Sequence, residues 1–330
     1  MFIFATFVTA ISVSLSILLT QNFEIPGTRQ LIEPLWRCGF IILAWLAISR
    51  QLSVPWIGVF VCITLLKSYV SLSDGLLTPT LMDITLIIAL LFYLRMFISI
   101  SITIGLFLVI LFSYHNIKCI HLSTGADALK TEISLTEDFS NYGVDETQAP
   151  YFDKSCFENK LRGSVISIAR RSSHLNLLQH VIERTPEPAE NSALPPIIMA
   201  IQNHVPRLFW DKKPKENFGN SFGKKYKILA PTDNKTSWNI PWLSDFFIHG
   251  GFSSVLIYAI FSGIFMGVGV GWISKIRDKK FGFGLYAASF FPLFYQSSNF
   301  SLMTGSILWI ILIILTIYAS ISFIIRRVHS

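Results

Sequence analysis

The run MTGSILWIILIILTIYASISFII, Met303 to Ile325, carries no charged side chain over 23 residues. As a helix it would extend about 35 Å, enough to cross the roughly 30 Å hydrocarbon layer of a bilayer. Working back along the chain, comparable apolar runs occupy about 1–20, 35–49, 55–72, 77–94, 96–114, 247–273 and 281–296. Backbone groups inside lipid have to be satisfied within their own segment, which makes such runs helices, and the alternation that marks barrel strands is absent. A composition that is 52% hydrophobic and only 14% charged, with a mean hydropathy of +0.54, excludes an ordinary soluble enzyme. The chain therefore reads as an all-α polytopic membrane protein with about eight transmembrane helices. About five of these lie in 1–114 and about three in 247–330, with a large polar loop over 115–246 between them.

The first run resembles a signal peptide, yet it has neither a basic leading segment nor a small-x-small cleavage site, so it is expected to stay as an anchor. Orientation follows from the short connections, where Lys and Arg collect on the cytoplasmic side. Arg50, Arg95, the group Lys275, Arg277, Lys279 and Lys280, and the pair Arg326 and Arg327 all fall on one side of the expected membrane. The opposite short connections carry only Asp74. Both termini are then expected in the cytoplasm and residues 115–246 outside it. Three charges lie within runs. Arg37 is expected to snorkel to the headgroups, the other option being to line a polar cavity, and Lys67 and Asp83 are expected to pair with each other across a short connection.

A net charge of +7 invites a nucleic-acid reading until the charges are located. Residues 115–158 hold three Lys against eight acids, and residues 159–246 hold thirteen Lys and Arg against seven acids. A loop polarised in this way fits an anionic substrate or lipid headgroups better than nucleic acid. An oxidising compartment would allow Cys119 and Cys156 to bridge, although four cysteines make no disulfide framework. No spacing suits zinc, calcium or a nucleotide phosphate, so neither a metal nor a cofactor is expected.

Three stretches of the loop carry chemistry. In HVPRLFWDKKP, His204 to Pro214, two prolines stiffen a run that sets Arg207, Lys212 and Lys213 around Phe209 and Trp210. Fixed cations beside large rings suit an anionic, sugar-bearing ligand, while a basic aromatic loop at a membrane surface has the same composition. Over Lys160 to Arg184 a helix is expected. At about 100° per residue Arg162, Ser173, His180 and Arg184 share its exposed side, and Arg170, Arg171 and His174 fall in one arc with Leu177, Leu178 and Val181. Cations inside an apolar arc need anionic partners, which a bound diphosphate or lipid headgroups would supply. In SWNIPWLSDFFIHGG, Trp238 and Trp242 suit an aromatic belt, and Asp245 and His249 are four apart, able to orient one another or share a proton.

RRSSHLNLLQHVIERTP from Arg170, VPRLFWDKKP from Val205 and SDFFIHGGFSSVLIYAIFSGI from Ser244, in that order, resemble the O-antigen and capsule repeat-unit polymerases. These are Wzy-type integral membrane glycosyltransferases related to O-antigen ligases. The likeness covers about 170–265, and the remainder matches in hydropathy alone. The chain departs from the family in having fewer spans, and in placing Asp245, Phe246 and Phe247 where the family often has Glu followed by Tyr. The resemblance implies a GT-C-like helical bundle in the bacterial inner membrane with a periplasmic catalytic loop. It implies transfer of a glycan from a polyprenyl diphosphate to a sugar hydroxyl of another lipid-linked repeat unit. Partners would then be the lipid-linked donor and acceptor, membrane lipids and a chain-length regulator.

On that basis Arg170, Arg171, Arg207 and Lys213 are expected to hold the diphosphate without a metal. His174 is expected to take the acceptor proton, with His249 or Asp245 behind it, and Trp210 and Trp238 to contact sugar. Ligation of glycan to a lipid A core sugar stays open as an alternative. A transporter of the lipid-linked glycan fits less well, because the two groups of spans show no duplication.

Overall fold

A computed structural model describes residues 1–21, 29–73, 77–105, 107–108, 175–185, 196–205, 210, 218–232, 238–295 and 298–329. Among them the regular structure is entirely helical. In chain order the helices are α1 (Phe2–Gln21), α2 (Arg29–Ile48), α3 (Val54–Ser73), α4 (Leu77–Tyr93) and α5 (97–105), followed by α6 (Leu175–Arg184), α7 (Pro196–His204) and α8 (Phe218–Lys225). The carboxyl-terminal set is α9 (Trp242–Ile248), α10 (Gly251–Ser274), α11 (Lys279–Ser289), a 3-10 turn (Phe291–Tyr295), α12 (Phe300–Thr304) and α13 (Ile307–His329). Three stretches are long and apolar enough to cross a membrane, Val54–Ser71, Gly251–Ser274 and Phe300–Val328. Phe2–Leu15 and Thr78–Tyr93 are shorter apolar helical stretches.

The bundle is organised on α2. Its middle, CGFIILAWLAI, is apolar on every side, the pattern of a helix enclosed by others. Cys38, Phe40, Ile41 and Ile42 are correspondingly at most 1% exposed. Helices α1, α4, α11 and α13 surround it. Two glycines bring neighbours close enough to touch backbone, as small residues do between membrane helices. A Cβ on Gly39 would lie 2.3 Å from Thr9 Oγ1 and 2.9 Å from the carbonyl of Ala5, and one on Gly284 would lie 2.7 Å from Ile42.

Four expected boundaries move, each for a local reason. The second span begins at Arg29 rather than 35, because Pro34 stands in the second turn of α2 and removes only one backbone bond there. The sixth breaks after Ile248, where Gly251 adopts φ +65°, a conformation that side-chain-bearing residues rarely take. The seventh ends as an α-helix at Ser289, since Pro292 disfavours helical geometry at Phe291. The eighth divides at Gly305 and Ser306 into α12 and α13.

The intramembrane charges also pair differently from expectation. Lys67 Nζ is 2.5 Å from Glu33 Oε1, and Asp83 Oδ2 instead accepts from Trp36 Nε1 at 2.8 Å. Arg37 does not snorkel. It is 8% exposed and has Glu33 Oε2 at 3.8 Å, one turn earlier on α2. Glu33, in the part of α2 that the sequence reading placed outside the span, thus sits between two cations. A buried cation left without a carboxylate would be costly, which explains why α2 carries both members of the Glu33–Arg37 pair.

Candidate functional site

The short helix α9 follows Pro241 and buries Trp242, Ser244, Asp245, Phe246 and Phe247. Phe246 packs against Tyr258 of α10 and against Phe300, and Phe300 also meets Phe261. α9 therefore lies alongside the first three turns of α10, with α12 against both. Trp242 is only 3% exposed and meets Phe300 edge to face, so it belongs to this interior and not to an aromatic belt.

At that junction Asp245 and His249 come together as their spacing of four requires. Both side chains are 3% exposed, with His249 Nδ1 3.7 Å from Asp245 Oδ1 and 2.6 Å from the Asp245 backbone carbonyl. A carbonyl only accepts, so Nδ1 carries the hydrogen, and in the neutral ring Nε2 holds the lone pair. Asp245 Oδ2 accepts the backbone N–H of Phe300 at 2.9 Å, which ties α9 to the start of α12. Next to it Asn299 Nδ2 donates to Ser301 Oγ at 3.1 Å. This group could orient an imidazole as an acid or base beside hydroxyl and amide groups.

The loop helices close over the same place. Val181, Phe222, Tyr226, Ile240 and Phe247 form a second apolar core, joined by Leu177, Leu178 and Trp238. Phe218 of α8 stacks obliquely on His249, centroids 6.0 Å apart. Of the expected helix over 160–184, the described part is α6. Val181 is buried as expected, but His180 and Arg184 do not form an exposed face. His180 is 9% exposed and its Nε2 donates to the carbonyl of Tyr226 at 2.9 Å, with the Arg184 guanidinium against the same ring. Tyr226 is wholly buried, its hydroxyl is 2.9 Å from Thr185 Oγ1, and burial pushes its pKa up despite that hydrogen bond.

Helix α7 fixes where the proline-bracketed motif begins. Pro196 opens it at a position that tolerates the missing N–H. At its end Asn203 Nδ2 donates to the carbonyl of Ser301 at 3.4 Å, and Trp309 Nε1 donates to the carbonyl of His204 at 2.5 Å. His204, first residue of HVPRLFWDKKP, is thereby held against α13, and its neighbour Asn203 against α12. Trp210 is half-buried, and Trp238 is half-buried in the second core. Arg170, Arg171, His174, Arg207 and Lys213 lie outside the described residues, as do Cys119 and Cys156.

Sequence reasoning found the Asp245–His249 pair but missed Asn299, Ser301 and Glu33. The polar run SSNFS between two apolar runs was the available signal for the first two. No family profile, no curated protein and no solved structure matches the chain. What fold and site define together is a helical membrane protein whose polar loop packs onto a buried Asp–His pair at one end of its bundle.

Proposed function

We propose that the protein is a membrane glycosyltransferase that polymerises polyprenyl-diphosphate-linked oligosaccharide repeat units. In this reading it has about eight spans in a GT-C-like arrangement in a bacterial inner membrane, both termini cytoplasmic and residues 115–246 periplasmic. The donor and acceptor are both lipid-linked glycans, and a chain-length regulator is a further partner. The carrying observation is the buried Asp245–His249 pair, tied to the start of α12, the same short helix that Asn203 meets just before the motif with Arg207 and Lys213 begins.

His249 Nε2 would take the proton of the acceptor hydroxyl, whose oxygen then bonds to the anomeric carbon of the donor glycan. Asp245 would steady the imidazolium so formed. The bond from that carbon to the diphosphate oxygen breaks, the electron pair leaves with the diphosphate, and Arg170, Arg171, Arg207 and Lys213 meet the charge. His174, the first choice on sequence grounds, becomes the competing base.

The test is polysaccharide from a deletion strain complemented with variants matched for membrane protein. His249→Gln, Arg170→Ala and Arg207→Ala should each remove long chains and leave single repeat units on the lipid core. Long chains from all three would reject the reading. Loss with His174→Gln but not His249→Gln would move the base, and absence of even single units would favour ligation.

A further inference from the structure

At the end of the bundle opposite the Asp245–His249 pair, a cleft of about 550 Å³ opens between α10, α11 and α13. Trp272, Ile276, Arg277, Phe281, Leu315 and Tyr318 line it, together with Asp278. Phe281 and Tyr318 stack at 4.1 Å and floor it. The α10–α11 turn above it holds Lys275, Arg277, Lys279 and Lys280 against one acid, Asp278.

Asp278 is already committed, because its Oδ1 accepts from the backbone N–H of Lys280 and of Phe281 at the start of α11. Lys279 Nζ donates to the carbonyl of Ser274, and Lys280 Nζ donates to Gln51. Among the described residues Lys275 and Arg277 have no side-chain hydrogen bond or ion pair; Arg277 lines the cleft, and Lys275 is exposed two residues before it on the same turn. Two uncommitted cations on a turn whose single carboxylate already caps α11 call for an anionic ligand.

The walls say what else the ligand carries. Below Trp272, Val268 and Ile264 recur every four residues on α10, 68% and 61% exposed. Beyond Leu315 on α13, Leu312 and Leu308 continue the wall, 43% and 49% exposed. A soluble anion has no use for such stripes, whereas a hydrocarbon chain fits along them. Basic recesses between membrane helices, with aromatic side chains at headgroup level, are recognised sites for acidic lipids.

We infer that this cleft is a binding site for an anionic glycerophospholipid. The phosphate lies on Arg277 and Lys275, the glycerol over Trp272 and Tyr318, and an acyl chain runs between α10 and α13. The site is independent of the proposed glycosyl transfer.

The test uses the purified full-length chain in mild detergent, with native mass spectrometry and thermal unfolding. The probes are phosphatidylglycerol, phosphatidylethanolamine and inorganic phosphate. Phosphatidylglycerol should be retained and should raise Tm, the other two should do neither, and Lys275→Ala with Arg277→Ala should weaken retention by on the order of tenfold or more. Leu315→Trp, which fills the cleft and keeps every charge, should also lose the lipid. Arg95→Gln, which removes a cation elsewhere on the expected same side, should not. Equal loss with Arg95→Gln, undiminished retention in the double variant or in Leu315→Trp, or equal protection by phosphatidylethanolamine or phosphate would overturn the assignment.

Discussion

Trp36 Nε1 donates to Asp83 Oδ2 at 2.8 Å, and the cation on the neighbouring helix, Lys67, turns away to Glu33. The indole therefore satisfies one carboxylate and leaves the other to two cations. Three helices, α2, α3 and α4, are joined by five side chains, all of them well inside the ends of α3 and α4 or in the first half of α2.

Glu33→Ala should be far more damaging than its partial exposure suggests, since it strands Lys67 and Arg37 together. A loss of roughly 3 kcal/mol is expected, the lower end for breaking a buried ion pair. Thermal unfolding in detergent should register it as a large fall in Tm. Glu33→Leu combined with Lys67→Leu and Arg37→Leu should recover much of the loss, and a triple variant as unstable as Glu33→Ala would contradict the grouping.

Trp36→Phe removes the donor to Asp83 and keeps most of the ring that stacks on Phe40. About 1–3 kcal/mol should be lost. Asp83→Leu placed on top should cost less than it does in the native background, and strict additivity in that cycle would disconnect the two residues.

The bundle was legible in the sequence wherever an apolar run was long. It failed at α2, because Pro34, Glu33 and Arg37 made the first half look like a loop and the run after them looked short. That helix is the most enclosed one, and its polar residues are tolerated because partners on α3 and α4 meet them. Such partners are tertiary facts, and the short α3–α4 connection pointed to the wrong pair. Asp245 and His249 were legible because an i, i+4 spacing survives without tertiary knowledge. His180 and Arg184 were not, since the wheel could not foresee that the Tyr226 carbonyl would be brought to that side of α6.

Asp245→Asn and Asp245→Ala should separate folding from chemistry. The amide oxygen can still accept from Phe300 N–H, so the Asn variant should keep its Tm yet lose its polysaccharide. Ala leaves that N–H buried and unmet, at about 1–3 kcal/mol. Full polymer length from the Asn variant would leave Asp245 with the structural task alone.

Glycine substitutions should sort by what surrounds them. Gly39→Ala drives a methyl into Thr9 and Ala5, and Gly305→Ala into Asn203 Cβ at 2.4 Å, each costing roughly 1–3 kcal/mol. Gly58→Ala meets nothing within 4 Å and should gain up to about 1 kcal/mol from helix propensity. Tm measured on the three variants decides it, and a neutral Gly39→Ala would disprove the close α1–α2 approach.

Alkaline pH should loosen the loop before the bundle. Burial holds the Tyr226 phenol above its ordinary value near 10, so the neutral form belongs to the folded loop. Its contribution is complete below pH 10 and declines as pH rises from there toward the raised value. Limited proteolysis should cut near α8 faster as pH climbs past 10, and Tyr226→Phe should flatten that rise.

Phe246 and Phe300 meet α10 at Tyr258 and Phe261, about 10–15 Å along the helix from its first residue. α9 thus folds back along α10, and Asp245 lies buried beside that helix and not beyond its end. For the glycosyl transfer proposed above, a donor tethered by a hydrocarbon tail would reach the Asp245–His249 pair by drifting sideways through the leaflet, its anchor never extracted. Traffic to the pair would then be two-dimensional, set by surface density in the lipid and not by concentration in water.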